Sequence, residues 1–399
     1  MTAANRFGVR RAPAHLKRPV VPGVLTDYEL RAAVESGVVG ADVAPVDEQF
    51  QPASLDLRLG TIAYQLRASF LPFRQTVREW LTESQVDFTA PELFIDQLSL
   101  DDGATLQRGQ VYLVPLMEAL KLPRWLRGRC NPKSTTGRLD IFTRVITDRT
   151  LRFDEIEPGY HGPLYAEISP QSFPVRVRTG TSLSQLRLAT TDDPTLSDEE
   201  LSILAAEVPL LYTDDDEPIP PHDIVLRGGL CMGVDLSGRK TEGIIGYRAH
   251  PNPPAVDLSK VAHYDPSEYW EPIRDPTRNA YILEANRFYI LTSKERVRVP
   301  PELAAEMAVY DASAGEIRTH YAGFFDPGFG FGDGTLRGTK VVMEVRARDV
   351  PVLLYDGQIV FTVKFERLLG KPQRVYGVGL ASSYQHQGLT LSKQFRRSR

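Results

Sequence analysis

The sequence predicts an all-β protein with a few short helices, built as two tandem copies of one β domain. Three observations carry this. Short alternating or apolar runs recur along the chain, and the 30 glycines and 30 prolines divide them. Long helical patterns are scarce. A weak repeat relates the first half to the second. At 399 residues the chain exceeds what one core usually serves, so two domains are expected.

Taken in order, residues 1–22 read as a flexible basic arm, with Arg6, Arg10, Arg11, Lys17 and Arg18 but no apolar signal core. Asp27-Tyr28-Glu29-Leu30 opens a short helix, with Asp27 as its cap and Gly37 near its end. The first β domain is expected over 23–190. Its clearest strand is Pro52–Gly60, where apolar and polar residues alternate strictly. Further strands are expected at Tyr112–Pro115, Leu164–Ile168, Val175–Val177 and Leu183–Leu188. Residues 191–222 are acidic and turn-rich, with a helical piece at Ser197–Glu207; they read as a solvated connection. The second domain, 223–399, resumes the strand pattern at Phe288–Leu291, Val341–Val345, Val352–Leu354 and Ile359–Phe361.

The repeat is visible in the residues. Ile156-Glu157-Pro158-Gly159-Tyr160 matches Phe325-Asp326-Pro327-Gly328-Phe329. Each is followed by a glycine and then a glutamate in an apolar run, Glu167 and Glu344. Each half then carries a Pro-Val run ending in glycine, Pro174–Gly180 and Pro351–Gly357.

Composition bounds the partners. A net charge of −4 argues against a broad nucleic-acid surface, so an anionic ligand must be held by a local cluster. No apolar run approaches the roughly 18 residues that span a bilayer. The expected location is the cytoplasm. The two cysteines, Cys130 and Cys231, imply no disulfide framework. No histidine is followed by x-Glu and neither cysteine has a Cys-x-x-Cys partner, so zinc is not expected.

The local cation cluster is Arg127–Arg138. Ser134, Thr135 and Thr136 lie between Lys133 and Arg138, and Pro132 and Gly137 keep the segment off regular helix geometry. Such a loop offers backbone N–H groups, hydroxyls and two cations to one polyanion.

These motifs, in this order, resemble the dCTP deaminase branch of the dUTPase-like superfamily, in its tandem-domain form. The resemblance rests on the Ser54-Leu55-Asp56-Leu57-Arg58-Leu59-Gly60 strand, the Lys133–Arg138 loop, the Asp326-Pro327-Gly328 hairpin, the strand glutamates and the closing Tyr384-x-x-Gln387-Gly388. It implies two distorted jelly-roll-like barrels and hydrolysis of dCTP to dUTP and ammonia. It also implies a site between barrels. The phosphate loop of the family, R-S-S-x-x-R, falls on Lys133, Ser134, Thr135 and Arg138, with lysine for the leading arginine. The aspartate that holds the sugar 3′-hydroxyl falls on Asp326, where the first copy has Glu157. Ala322 falls on the base-contacting turn, and the first copy is different there. The catalytic glutamate falls on both Glu167 and Glu344. The tail falls on Tyr376, Tyr384 and Gln387, with Ser383 in place of the usual lysine. The second copy has an acidic stretch, Tyr310–Glu316, where the first has its phosphate loop. The two copies are therefore complementary, and one composite site per chain is expected. Lys133, Ser134 and Arg138 would face Asp326, Glu344 and the tail.

Mg²⁺ is expected only on the triphosphate. dUTP pyrophosphatase activity, a bifunctional route from dCTP to dUMP, and a non-catalytic nucleotide-binding regulator stay open as alternatives. dTTP is a candidate inhibitor. The chain is expected as a monomer or a small homo-oligomer, a dimer or trimer. Asp56 and Arg58 read as a structural ion pair.

Overall fold

The computed structural model describes residues 18–86, 93–274, 279–308, 317–319, 323–378 and 384–397. Strand by strand, its second half repeats its first. In the first half one sheet runs in the order Phe94–Ser99, Ile62–Leu66, Val111–Lys121, His161–Pro170, Ile141–Thr147. Its counterpart in the second half runs Trp270–Arg274, Ile244–Ala249, Phe288–Val297, Thr339–Ala347, Ile317–Thr319. A second sheet, Glu155–Ile156, Leu126–Pro132, Ser182–Thr190, Ser54–Arg58, Phe50–Gln51, is matched in its first four strands by Phe324–Phe325, Leu303–Ala308, Ile359–Arg367, Leu230–Gly233. The pairs are antiparallel, as expected of alternating strands joined by short turns. The two glutamates of the repeat hold equivalent places: Glu167 stands opposite Leu113 and Glu344 opposite Ile290.

Every strand expected from the sequence overlaps an observed one; Pro52–Gly60 is shorter than expected, with only Ser54–Arg58 in the strand. The corrections concern local detail. Helix Asp27–Glu35 is capped by Thr26, whose N–H donates to Glu29 at 2.9 Å. Asp27 is buried inside the helix and pairs with Arg374 at 3.5 Å. Ser134–Gly137 forms a single helical turn instead of an irregular loop. Helix Val77–Val86 was not anticipated, although Thr76 and Glu79 exchange the hydrogen bonds of a capping box and could have marked it.

The acidic connection is also more structured than expected. Its helix, Asp198–Glu207, falls in the expected piece Ser197–Glu207, and Ser197 caps it. Leu211–Tyr212 then joins the second domain's sheet beside Phe288–Val297. Asp214 and Asp235 both pair with the buried Lys340 at 2.8 Å, and Asp216 pairs with Arg296 at 2.6 Å. This part of the run is an ion-paired edge of the second domain and not a free solvated face, because cations on neighbouring strands meet it. Most of the basic arm, and the Tyr310–Glu316 stretch, lie outside the described residues. Among those residues no helix is long and apolar enough to cross a membrane.

The two halves share a seam. Val175–Val177 of the first pairs in parallel with Val256–Asp257 of the second. Phe173 meets Trp270 at 5.1 Å and Phe395 at 6.5 Å between ring centres. Buried ion pairs cross the same boundary, Arg187 to Glu366 at 2.7 Å and Arg346 to Asp140.

Candidate active site

The strand Leu126–Pro132 ends at a proline, and the chain then makes the Ser134–Gly137 turn before entering Ile141–Thr147. Two contacts to Leu183 O anchor the turn, from Lys133 N at 2.9 Å and from the Thr136 hydroxyl at 2.8 Å. Ser134 is left exposed and lines a cavity. Lys133 extends to Asp56, with which it pairs. Burial pushes the Asp56 carboxyl up, and Lys133 opposes that shift. The expected Asp56–Arg58 pair is not formed. Arg58 instead pairs with the buried Glu118 at 2.7 Å.

Arg138 is 2% exposed and is gripped by the end of the chain. It donates to Gln387 Oε1 at 2.5 Å and to Thr390 O at 2.9 Å. Its guanidinium lies 3.8 Å from the Tyr384 ring centre, a cation–π contact. Thr135 and Tyr384 share a hydrogen bond of 3.0 Å. The tail therefore packs on the turn; Tyr384 and Phe395 are both buried.

The opposite wall comes from the second domain. Gly328, in the Asp326-Pro327-Gly328 turn, has φ +91°, and a Cβ there would meet Val375 Cγ1 at 2.1 Å, so only glycine fits. Asp326 accepts a hydrogen bond from Ala53 N, across the domain boundary, at 3.3 Å. Burial pushes its carboxyl up to about 6, while the Arg187 guanidinium draws it back down. Gln385 ties the tail to this hairpin: it donates to Gly328 O at 3.0 Å and accepts from Gly330 N at 3.2 Å. The Tyr376 hydroxyl is pushed well up by burial. Glu344 projects from Thr339–Ala347 onto the first domain's turn. A Cβ at Gly137 would stand 3.1 Å from both its Cδ and its Oε1.

These residues enclose one cavity of about 420 Å³. Lys133, Ser134, Thr135 and Arg138 line it from the first domain; Asp326, Glu344, Tyr376, Tyr384 and Gln387 line it from the second. Glu167 is not among its walls. It is 1% exposed on the first domain's sheet, paired with Arg144 and accepting from Phe70 N at 3.3 Å. The segment around Ser69 and Phe70 covers that carboxylate, so the first copy's glutamate is sealed within its own domain. Ala322 lies outside the described residues. Sequence reasoning did not select Gly137, Lys393 or Gln185, which also line the cavity. Only Gly137, inside the cationic loop, carried a local signal.

Both halves match one family. Residues 21–192 match the 2'-deoxycytidine 5'-triphosphate deaminase N-terminal domain. Residues 197–395 match the C-terminal domain of the same family. A crystal structure of 2'-deoxycytidine 5'-triphosphate deaminase from Agrobacterium tumefaciens is 42% identical, with a TM-score of 0.80 over 88% of this chain and 99% of that one. A dCTP deaminase, dUMP-forming, of Corynebacterium jeikeium is 30% identical over 173 residues, 43% of this chain and 83% of the relative. A dCTP deaminase of Shewanella amazonensis is 23% identical over 173 residues, 43% of this chain and 84% of the relative. With both domains matched in tandem and the fold shared, the chain belongs to the dCTP deaminase family as a two-domain member.

Proposed function

We propose that this cavity binds Mg²⁺–dCTP and releases the 4-amino group as ammonia, with Glu344 as general base. The observation that carries this is the meeting of Glu344 with the Ser134–Arg138 turn of the other domain. Glu344 takes a proton from a water, and the hydroxide adds to C4 of the cytosine. Ser134 and Arg138 line the same cavity and are the donors assigned to the developing charge. The proton held by Glu344 then passes to the amino group, which leaves as ammonia, and C4 keeps the oxygen. The balance is dCTP plus water giving dUTP plus ammonia. Asp326, as a carboxylate, accepts the sugar 3′-hydroxyl. dTTP, with the same sugar and triphosphate, would compete for the same cavity.

A second reading is that the chain carries dUTP on to dUMP and pyrophosphate. The printed names of the Corynebacterium jeikeium and Dictyoglomus thermophilum relatives, both "dUMP-forming", favour it. The higher-identity Agrobacterium tumefaciens relative is named for deamination alone, which supports the first reading.

Nucleotide chromatography with parallel ammonia and pyrophosphate assays separates the two. Equal dUTP and ammonia is the expected result; dUMP with pyrophosphate would establish the second reading. Glu344→Gln should abolish ammonia release. Glu167→Gln should keep it in whatever protein remains folded, because Glu167 lies outside the cavity. Loss of turnover in folded Glu167→Gln, with Glu344→Gln still active, would overturn the assignment of the base.

A further inference from the structure

Behind the Lys133–Asp56 pair lies a second cavity, of about 380 Å³, that the reaction above does not use. It opens at the domain seam, beside the parallel pairing of Val175–Val177 with Val256–Asp257. The two cavities share a wall: Glu48, Asp56, Lys133, Thr135 and Lys393 line both.

Their charges differ. In the first cavity Lys133, Arg138 and Lys393 face four carboxylates, two of them at the reaction end, Asp326 and Glu344. The second adds Arg58, Arg176 and Arg178 to the shared lysines and only Asp257 to the shared carboxylates, so cations prevail there. Arg58 is committed to Glu118. Arg176 donates to Asp102 O at 2.7 Å and lies 4.0 Å from Asp257. Arg178 is the more loosely held, with Asp102 O at 3.3 Å and Asp257 at 3.7 Å. Their side chains are 38% and 45% exposed. Among the described residues no hydrogen bond or ion pair engages the Lys393 ammonium, which acts on Asp56 through space. A polyanion laid in the first cavity is repelled at its carboxylate end and drawn toward this wall.

We infer that the second cavity is a subsite for the terminal phosphate of the nucleotide, held by Lys393 and Arg178. This rests on the dCTP reading. The phosphate end passes the Lys133–Asp56 pair, and loose contacts to Asp257 give way to short charge-assisted bonds to phosphate oxygens. The subsite makes the enzyme selective for triphosphates, since a monophosphate cannot reach it.

The test uses the full chain with Lys393→Gln and Arg178→Gln, both exposed positions. Each should raise KM for dCTP about tenfold, the size of one charge-assisted contact, with kcat within about twofold. KM for dCMP should not move. An equal effect on dCTP and dCMP, or none on either, would overturn the subsite. Calorimetric titration with inorganic tripolyphosphate decides the subsite even if the wild type releases no ammonia from dCTP. Binding that weakens about tenfold in both variants and competes with dCTP supports it. Equal binding by all three proteins, or binding that does not compete with dCTP, overturns it.

Discussion

Asp326 holds a carboxylate where water barely reaches, at 7% exposure. Its pKa, pushed up to about 6 by burial, stands above the ordinary carboxylate value of 3.8. An acid with a raised folded pKa keeps its proton in the folded state after the unfolded chain has released it. Its contribution therefore favours folding most below pH 3.8, and that contribution is lost as pH rises through about 6. Above that pH the buried charge costs on the order of 2–3 kcal/mol. Asp326→Asn should accordingly be more stable than wild type at pH 8, with little gain near pH 4, as read from denaturant midpoints. The same variant should bind dCTP more weakly at pH 8, because an amide is a poorer acceptor for the 3′-hydroxyl. The wild-type KM should fall as pH rises through about 6, and the variant should lack that inflection. A site residue whose removal raises stability is the usual mark of a group kept for function.

Two elements make the reaction end of the cavity, the Ser134–Gly137 turn and the Thr339–Ala347 strand. They touch where Gly137 leaves room for Glu344. Gly137→Ala would force the carboxylate to shift by a few tenths of an ångström. Misplacement on that scale should lower kcat about tenfold with a smaller change in KM, measured by ammonia release. An unchanged kcat would show that the strand yields without disturbing the base. The equivalent strand of the first domain, His161–Pro170, shows what happens without such a partner. There Glu167 is turned over to Arg144, and Glu167→Gln would leave that arginine without its carboxylate. The cost should be about 3–5 kcal/mol in thermal or denaturant unfolding, without loss of specific activity in the folded fraction.

At the scale of the molecule, the domains act as one body because buried charge and aromatic packing cross their boundary. Arg187, 2% exposed, pairs with Glu366 and donates to Ala305 O at 3.0 Å, both in the second domain. Arg187→Ala would leave Glu366 buried without its partner, at about 3–5 kcal/mol. The wild type should unfold in one calorimetric transition; Arg187→Ala should lower its midpoint or split it in two. Two wild-type transitions would mean that the seam does not couple the halves.

The duplication was legible because strands announce themselves locally, by alternation and by the glycines and prolines between them. The loop Lys133–Arg138, the Asp326 hairpin and the strand glutamates were legible as motifs for the same reason. The sequence by itself thus determined the β class and the tandem repeat. It could not tell Glu344 from Glu167, since both sit in apolar strands at the same place in the repeat. Nor could it pair Asp56 with Lys133, or bring Lys393 into the wall that the two cavities share. Those outcomes depend on which surfaces of two domains meet. Contacts between residues far apart in the chain follow from packing across the seam, which no local pattern encodes, and the tertiary structure alone decided them.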